Sequence, residues 1–327
     1  MSRGLVMSRS LEKVCPSFTL YVVAFDDITY NYFKDNPEKN LKIISLDEFE
    51  DPELLKIKPT RSVGEYCWTC SSSTILYCIE KYNLDHCVYI DADMVFYNDP
   101  HVLFEEWGSR SVLITKHRYT EEYDQSALSG IYCVQFVGFK NDAEGMKAIH
   151  WWRNACLEWC YDRLEEGKFG DQKYLDDWTT RFKNVCELRH IGGGVAPWNV
   201  QQYQVIKRGA NVSVKEIATK NIVDLVFYHY HGLKFFVNGT VILSDYKIQN
   251  KGVLDLYMDY VKELLEAGKE LSQTLPGVNI NAASNNPPFL PLNGRERLKN
   301  GLKKILGKTI YHSVARQNMF YLHDITG

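Results

Sequence analysis

Short apolar runs recur along the chain, each closed by polar residues. "FTLYVVAF" (18–25) has the density of a buried strand and gives way to the polar "DDITYNYFKDN". "LKIISL" (41–46), "HCVYI" (86–90), "SVLIT" (111–115) and "IYCVQFVGF" (131–139) repeat that pattern. Between them, "SSSTILYCIEKYN" (71–83) sets Ile75, Leu76 and Ile79 at helical spacing behind serines suited to a helix start. "DAEGMKAIHWWRNACLEWCYDRLEEG" (142–167) predicts a long helix, with Ile149, Trp152, Cys156 and Trp159 as its core-facing stripe. "GDQKYLDDW" (170–178) predicts a short helix with Asp171 as its N-cap. "IVDLVFYHYHGLK" (222–234) reads as a late strand ending in polar residues, and "LDLYMDYVKELLEAG" (254–268) as an amphipathic helix.

Strands alternating with helices predict an α/β fold, a mainly parallel central sheet flanked by helices. One domain would span 1–272, a Pro-, Asn- and Ser-rich linker 273–294, and a basic tail 295–327. In such sheets ligands gather at the carboxyl ends of strands. Asp26 and Asp27 follow the first strand, and Asp91 and Asp93 follow "HCVYI".

Composition narrows the field. The 327 residues carry a net charge of −3, which gives no pull toward nucleic acid. The start, "MSRGLVMSRSLEKVC", has no apolar h-region, and no stretch approaches the roughly 20 apolar residues of a membrane span. The expected location is cytoplasmic, and the nine cysteines are then reduced thiols. "CWTC" (67–70) has redox or zinc spacing, but no second such pair completes four zinc ligands.

Asp91 and Asp93 stand one residue apart, so in an extended chain they point the same way. Two carboxylates held like that repel unless a cation lies between them. A hard divalent cation takes such oxygens together with substrate phosphates, whereas a plain strand-to-turn junction would solvate them. His229 and His231 likewise share one side of "FYHYHGLK" (227–234), before Gly232 and Lys234. An imidazole can complete a metal site and the lysine can meet a phosphate, or both histidines can simply pack. Three consecutive glycines in "HIGGGVAPWNV" (190–200) either approach a ligand or only turn.

Taken in order, "YIDADMVFYNDP", "GDQKYL" and "HYHGLK" resemble the metal-dependent glycosyltransferases of A-type fold, among them glycogenin and the bacterial lipooligosaccharide galactosyltransferases. A bacterial group of nucleotide-diphospho-sugar transferases is more similar still. Its run is matched by "FTLYVVAFDDITY", "RSVGEYCWTC", "APWNV" and "FYHYHGLK" over roughly 17–235. The resemblance implies a Rossmann-like nucleotide-sugar fold and a retaining transfer in bacterial surface glycan synthesis. It implies a nucleotide-diphosphate sugar donor, a UDP-sugar first, a glycan or lipid-linked acceptor, and Mn²⁺ or Mg²⁺. By position it assigns Asp91, Asp93 and His229 to the metal, with Asp91 also at the donor. Lys234 falls to the diphosphate, Asp171 and Gln172 to the reacting sugar, and Asp26, Tyr30 and Arg61 to the nucleotide.

The relatives carry His-x-x-Gly-x-x-Lys-Pro-Trp. Here Lys234 comes one residue early and Pro-Trp is missing, which leaves His231 as a rival ligand. Sugar nucleotidyl transfer and a non-catalytic glycan- or nucleotide-binding role are the alternatives. "GRERLKNGLKKILGK" (294–308) can form a basic amphipathic helix that either touches an acidic partner or a membrane surface, peripherally at the inner membrane face, or packs on the domain with its lysines solvated.

Overall fold

The computed structural model describes residues 1–209, 211–248, 250–287, 289–292, 294–298 and 314–326. Most of the basic stretch 294–308 therefore lies outside the described residues. Among the described residues no helix is long and apolar enough to cross a membrane. The chain divides into two units, one of residues 11–91 and 98–194, the other of 1–10, 92–97 and 195–327. The boundary passes between Asp91 and Ala92.

The unit of residues 11–91 and 98–194 is α/β. Leu20–Val23 pairs in parallel with Leu41–Ile44, and Val112–Lys116 in parallel with Val185–Glu187. Tyr132–Lys140 lies between His86–Ile90 and Val112–Lys116 and runs antiparallel to both. The class is the expected one, while the strand directions are mixed. The return through 117–131 contains no crossover helix, only the 3₁₀ turn Glu121–Tyr123 and the four-residue helix Ser126–Ser129, and a loop return of that kind yields an antiparallel neighbour. The core packs Phe139 against Trp152 and Trp178, with Ile149 and Cys156 fully buried.

Two long helices of this unit differ from their expected limits. Val63–Tyr82 starts well before the serine run, because Ser62 and Glu65 form a capping box. "CWTC" thus lies inside a helix. Ala143–Glu158 stops at Trp159, whose backbone is extended, and a turn at Gly167 (φ 76°) bridges Glu165 to Lys168.

In the other unit, the late apolar run serves two sheets and is broken for that reason. Ile222–Asp224 extends the hairpin of Tyr203–Arg208 and Asn211–Glu216, and Phe227–His229 then pairs antiparallel with Met94–Phe96. The hairpin of Lys234–Phe235 and Thr240–Ile242 gains Met319–Tyr321 as a third strand. Lys251–Thr274 is one amphipathic helix, capped by Asn250, whose side chain accepts from the N–H of Val253. The helix Ser2–Val14 was not expected from the sequence; its residues up to Ser10 belong to this unit.

Candidate metal centre and a buried carboxylate

Alternation along an extended segment sorts Tyr228 to His231. Tyr228 and Tyr230 are fully buried against the Lys251–Thr274 helix, where the Tyr230 ring lies 4.0 Å from that of Tyr260 and 5.0 Å from that of Tyr257. The Tyr230 hydroxyl accepts from the Tyr97 hydroxyl and donates to the Leu256 carbonyl at 3.2 Å. His229 and His231 are thereby turned to the opposite side. The Trp198 ring stands edge-on to both, 5.4 Å from His229 and 5.6 Å from His231.

Asp93 reaches the histidines through backbone pairing. Met94 stands opposite His229, and the Tyr230 N–H donates to the Asp93 carbonyl at 2.8 Å. The His229 Nε2 lies 3.0 Å from Asp93 Oδ1. Asp93, His229 and His231 each offer one ligand atom, and these atoms lie within 4.8 Å of one another. His229 is buried and His231 is exposed. Burial resists the Asp93 charge, but His229, then His231 and Arg3, hold its carboxyl well below the usual carboxylate range. Partial shielding of its ring from water, and then His229, lower the His231 imidazole. One carboxylate oxygen and two imidazole nitrogens fit a borderline divalent cation, and suit Mn²⁺ better than an all-oxygen cation such as Mg²⁺. Gly232 has φ +82° and turns the chain back after His231, so that the Leu233 N–H reaches the Tyr230 carbonyl at 3.3 Å.

The unit of residues 11–91 and 98–194 holds a different cluster. Asp171, expected as a helix cap, is instead buried, and the 3₁₀ turn Lys173–Asp177 that follows has Gln172 at its N-cap position without a side-chain cap bond. The Trp152 indole N–H donates to the Asp171 carbonyl at 2.9 Å, which draws this stretch onto the core. Burial pushes the Asp171 carboxyl up to about 7; Asp91 adds to the rise, and the Ser71 hydroxyl opposes it. Burial, then Asp91 and Asp171, raise the Tyr89 hydroxyl well above its ordinary value. A carboxyl poised near neutrality is suited to exchanging a proton with a substrate.

The remaining sequence candidates have other partners. Both oxygens of Asp26 are engaged by Thr29, from its N–H at 2.7 Å and its hydroxyl at 2.9 Å, so Asp26 caps a helix. Tyr30 lies on that helix with the Lys34 ammonium 5.6 Å from its ring. Arg61 lies over the Tyr161 ring at 3.9 Å and donates to the Leu157 carbonyl at 3.3 Å. Lys234 pairs with Asp245 at 3.1 Å, both half-exposed. A Cβ on Gly193 would lie 2.7 Å from Leu103, and one on Gly194 3.1 Å from Thr115, so close packing accounts for these two glycines. Sequence reasoning missed Trp198, Ser71 and Tyr89. Trp198 had a signal in the "APWNV" run and Tyr89 at the head of "YIDADM"; Ser71 had none.

No family model matches the chain. It is 30% identical to YfnD of Bacillus subtilis (strain 168) over 279 residues, covering 83% of this chain and 87% of that protein. The chain belongs to the YfnD family. YfnF of the same organism is also similar, 31% identical over 241 residues, with 71% of this chain and 78% of YfnF covered. Both family members are described as uncharacterized. Among solved structures, the apo form of mouse xyloside xylosyltransferase 1 is similar at TM-score 0.42 and 10% identity, over 71% of this chain and 92% of that one. GlyE, a glycosyltransferase of Streptococcus pneumoniae TIGR4, gives 0.43 and 12%, over 89% and 64%.

Proposed function

We propose that this YfnD-family protein is a metal-dependent glycosyltransferase. It moves a sugar from a nucleotide-diphosphate sugar, a UDP-sugar first, to an acceptor hydroxyl on a glycan or lipid-linked glycan, with retention of configuration. The observation that carries the reading is the convergence of Asp93, His229 and His231, which groups two of the three implied metal ligands, Asp93 and His229, with the rival His231 and without Asp91. A divalent cation held there would stabilise the charge that develops on the departing nucleoside diphosphate.

The chain's own residues supply the rest. Asp93 is kept ionised beside His229 and His231, which readies its carboxylate for a cation. Asp91 meets the donor and Asp171 with Gln172 meets the reacting sugar, on the strength of the motif order "YIDADM", "GDQKYL", "HYHGLK". Asp171, buried and near neutrality, is able to hold or release a proton at its carboxyl oxygen. Lys234 is committed to Asp245, which makes it a weaker choice for the diphosphate than its motif position implies.

Two imidazoles and one carboxylate are also the ligand set of non-haem iron oxygenases. The motif order favours sugar transfer. The test is a panel of nucleotide-sugars incubated with the protein and Mn²⁺, reading release of nucleoside diphosphate. Release that stops in excess EDTA is expected. Undiminished release in EDTA would overturn the metal dependence, and no release or binding with any nucleotide-sugar would overturn the transferase reading.

A further inference from the structure

We propose that Arg3, in the first turn of the N-terminal helix, is a positioning residue that fixes His231 for metal binding. The inference rests on the metal reading above. The Arg3 guanidinium donates to the carbonyl of Leu233 at 2.9 Å, a bond between residues 230 positions apart in the chain. Leu233 is buried and follows His231 with only Gly232 between. The turn is therefore held at both ends: its own N–H bond from Leu233 to Tyr230 closes it, and Arg3 pins its last carbonyl.

The same helix reaches the strand on the other side of the ligand set. The Ser10 hydroxyl accepts from the N–H of Phe96 at 3.0 Å, in the strand that begins directly after Asp93 and pairs with His229. Leu5, Val6 and Met7 are buried between these two anchor points along the helix.

The two histidines differ in how much support they have. His229 is buried, sits in a paired strand and contacts Asp93 directly. His231 is exposed and lies on a turn with a left-handed glycine, so its orientation depends on what holds that turn. Arg3 is a charged donor on a carbonyl, which makes this a strong hydrogen bond of its kind. Residues that orient ligands in this way typically change metal affinity by about 10–100-fold when removed.

The experiment compares full-length wild type with Arg3→Met, Arg3→Lys and Arg9→Ala. Arg9 lies on the same helix and pairs with Glu270 on the surface, so Arg9→Ala controls for general loosening of the helix. Two quantities are read: the Mn²⁺ dissociation constant by EPR, and the imidazole NMR signals of His229 and His231 in metal-free protein. Arg3→Met should weaken Mn²⁺ binding about 10–100-fold and move the His231 signals more than those of His229. Arg3→Lys should recover part of both, and Arg9→Ala should change neither. Unchanged affinity with unmoved His231 signals in Arg3→Met would overturn the proposal, as would an equal loss in Arg9→Ala. Should Arg3→Met not fold, Arg3→Gln takes its place and decides by the same criteria. Should wild type bind no Mn²⁺, the metal reading fails, and the imidazole signals alone still decide the role of Arg3.

Discussion

His229 Nε2 stands 3.0 Å from Asp93 Oδ1, joined across a strand pair in which Met94 is opposite His229. The contact is local in space and distant in sequence. It joins one carboxylate of the acidic pair, Asp93, to the two-histidine motif in a single candidate ligand set, which leads to unequal roles for the two histidines. His229→Ala should weaken Mn²⁺ binding about tenfold more than His231→Ala, because His229 is buried at the carboxylate while His231 sits on an exposed turn. Calorimetric titration with Mn²⁺ in the presence of nucleoside diphosphate measures both. The reverse order would make His231 the principal ligand.

The donor set also predicts ion preference. Two nitrogens and one oxygen favour Mn²⁺ or Co²⁺ over Mg²⁺. Nucleoside diphosphate with Mn²⁺ should therefore raise the unfolding temperature more than the same ligand with Mg²⁺. Equal shifts with the two ions would count against imidazole ligation.

Asp171 predicts a pH effect on stability that is independent of catalysis. Its carboxyl is raised to about 7 in the fold, above its unfolded value near 3.8. A raised acid favours folding while protonated, so its contribution is intact below the unfolded value and is lost as pH rises toward 7. Full ionisation then costs on the order of 4 kcal/mol. Asp171→Asn should melt several degrees above wild type at pH 8, with the gap closing toward pH 4. A variant that melts below wild type at pH 8 would show that the ionised carboxylate is stabilised in place.

Two glycines predict opposite signs. A Cβ on Gly145 would lie 2.2 Å from the Lys140 carbonyl oxygen, so Gly145→Ala should cost about 3 kcal/mol despite its gain in helix propensity. A Cβ on Gly64, in the first turn of the Val63–Tyr82 helix, would meet nothing within 4 Å. Gly64→Ala should leave stability equal or raise it by up to about 1 kcal/mol. Denaturant unfolding of both variants checks the pair.

Much of this was readable from local pattern. The strands at 20–23, 41–44, 86–90, 112–116 and 132–140 lie almost wholly within the apolar runs, because a strand's hydrophobicity is a property of the segment itself. Period two put His229 and His231 on one side without further information. The start of the Val63–Tyr82 helix was also written in the sequence, as Ser62 and Glu65, but the serine run further on masked it. Other features were not local. Asp171 has the residue type of a cap, and only the Trp152 indole on its carbonyl shows that this stretch is drawn into the core. Arg3 meets Leu233 from the far end of the chain, and no spacing rule reaches that distance.

Asp93, His229 and His231 are proposed to bind one divalent ion together. Pulsed EPR of Mn²⁺ bound to protein labelled with ¹⁵N-histidine reads the imidazole ligands themselves. Coupling to two imidazole nitrogens is expected, reduced to one in His229→Ala and in His231→Ala. Bound Mn²⁺ with no imidazole coupling would contradict it.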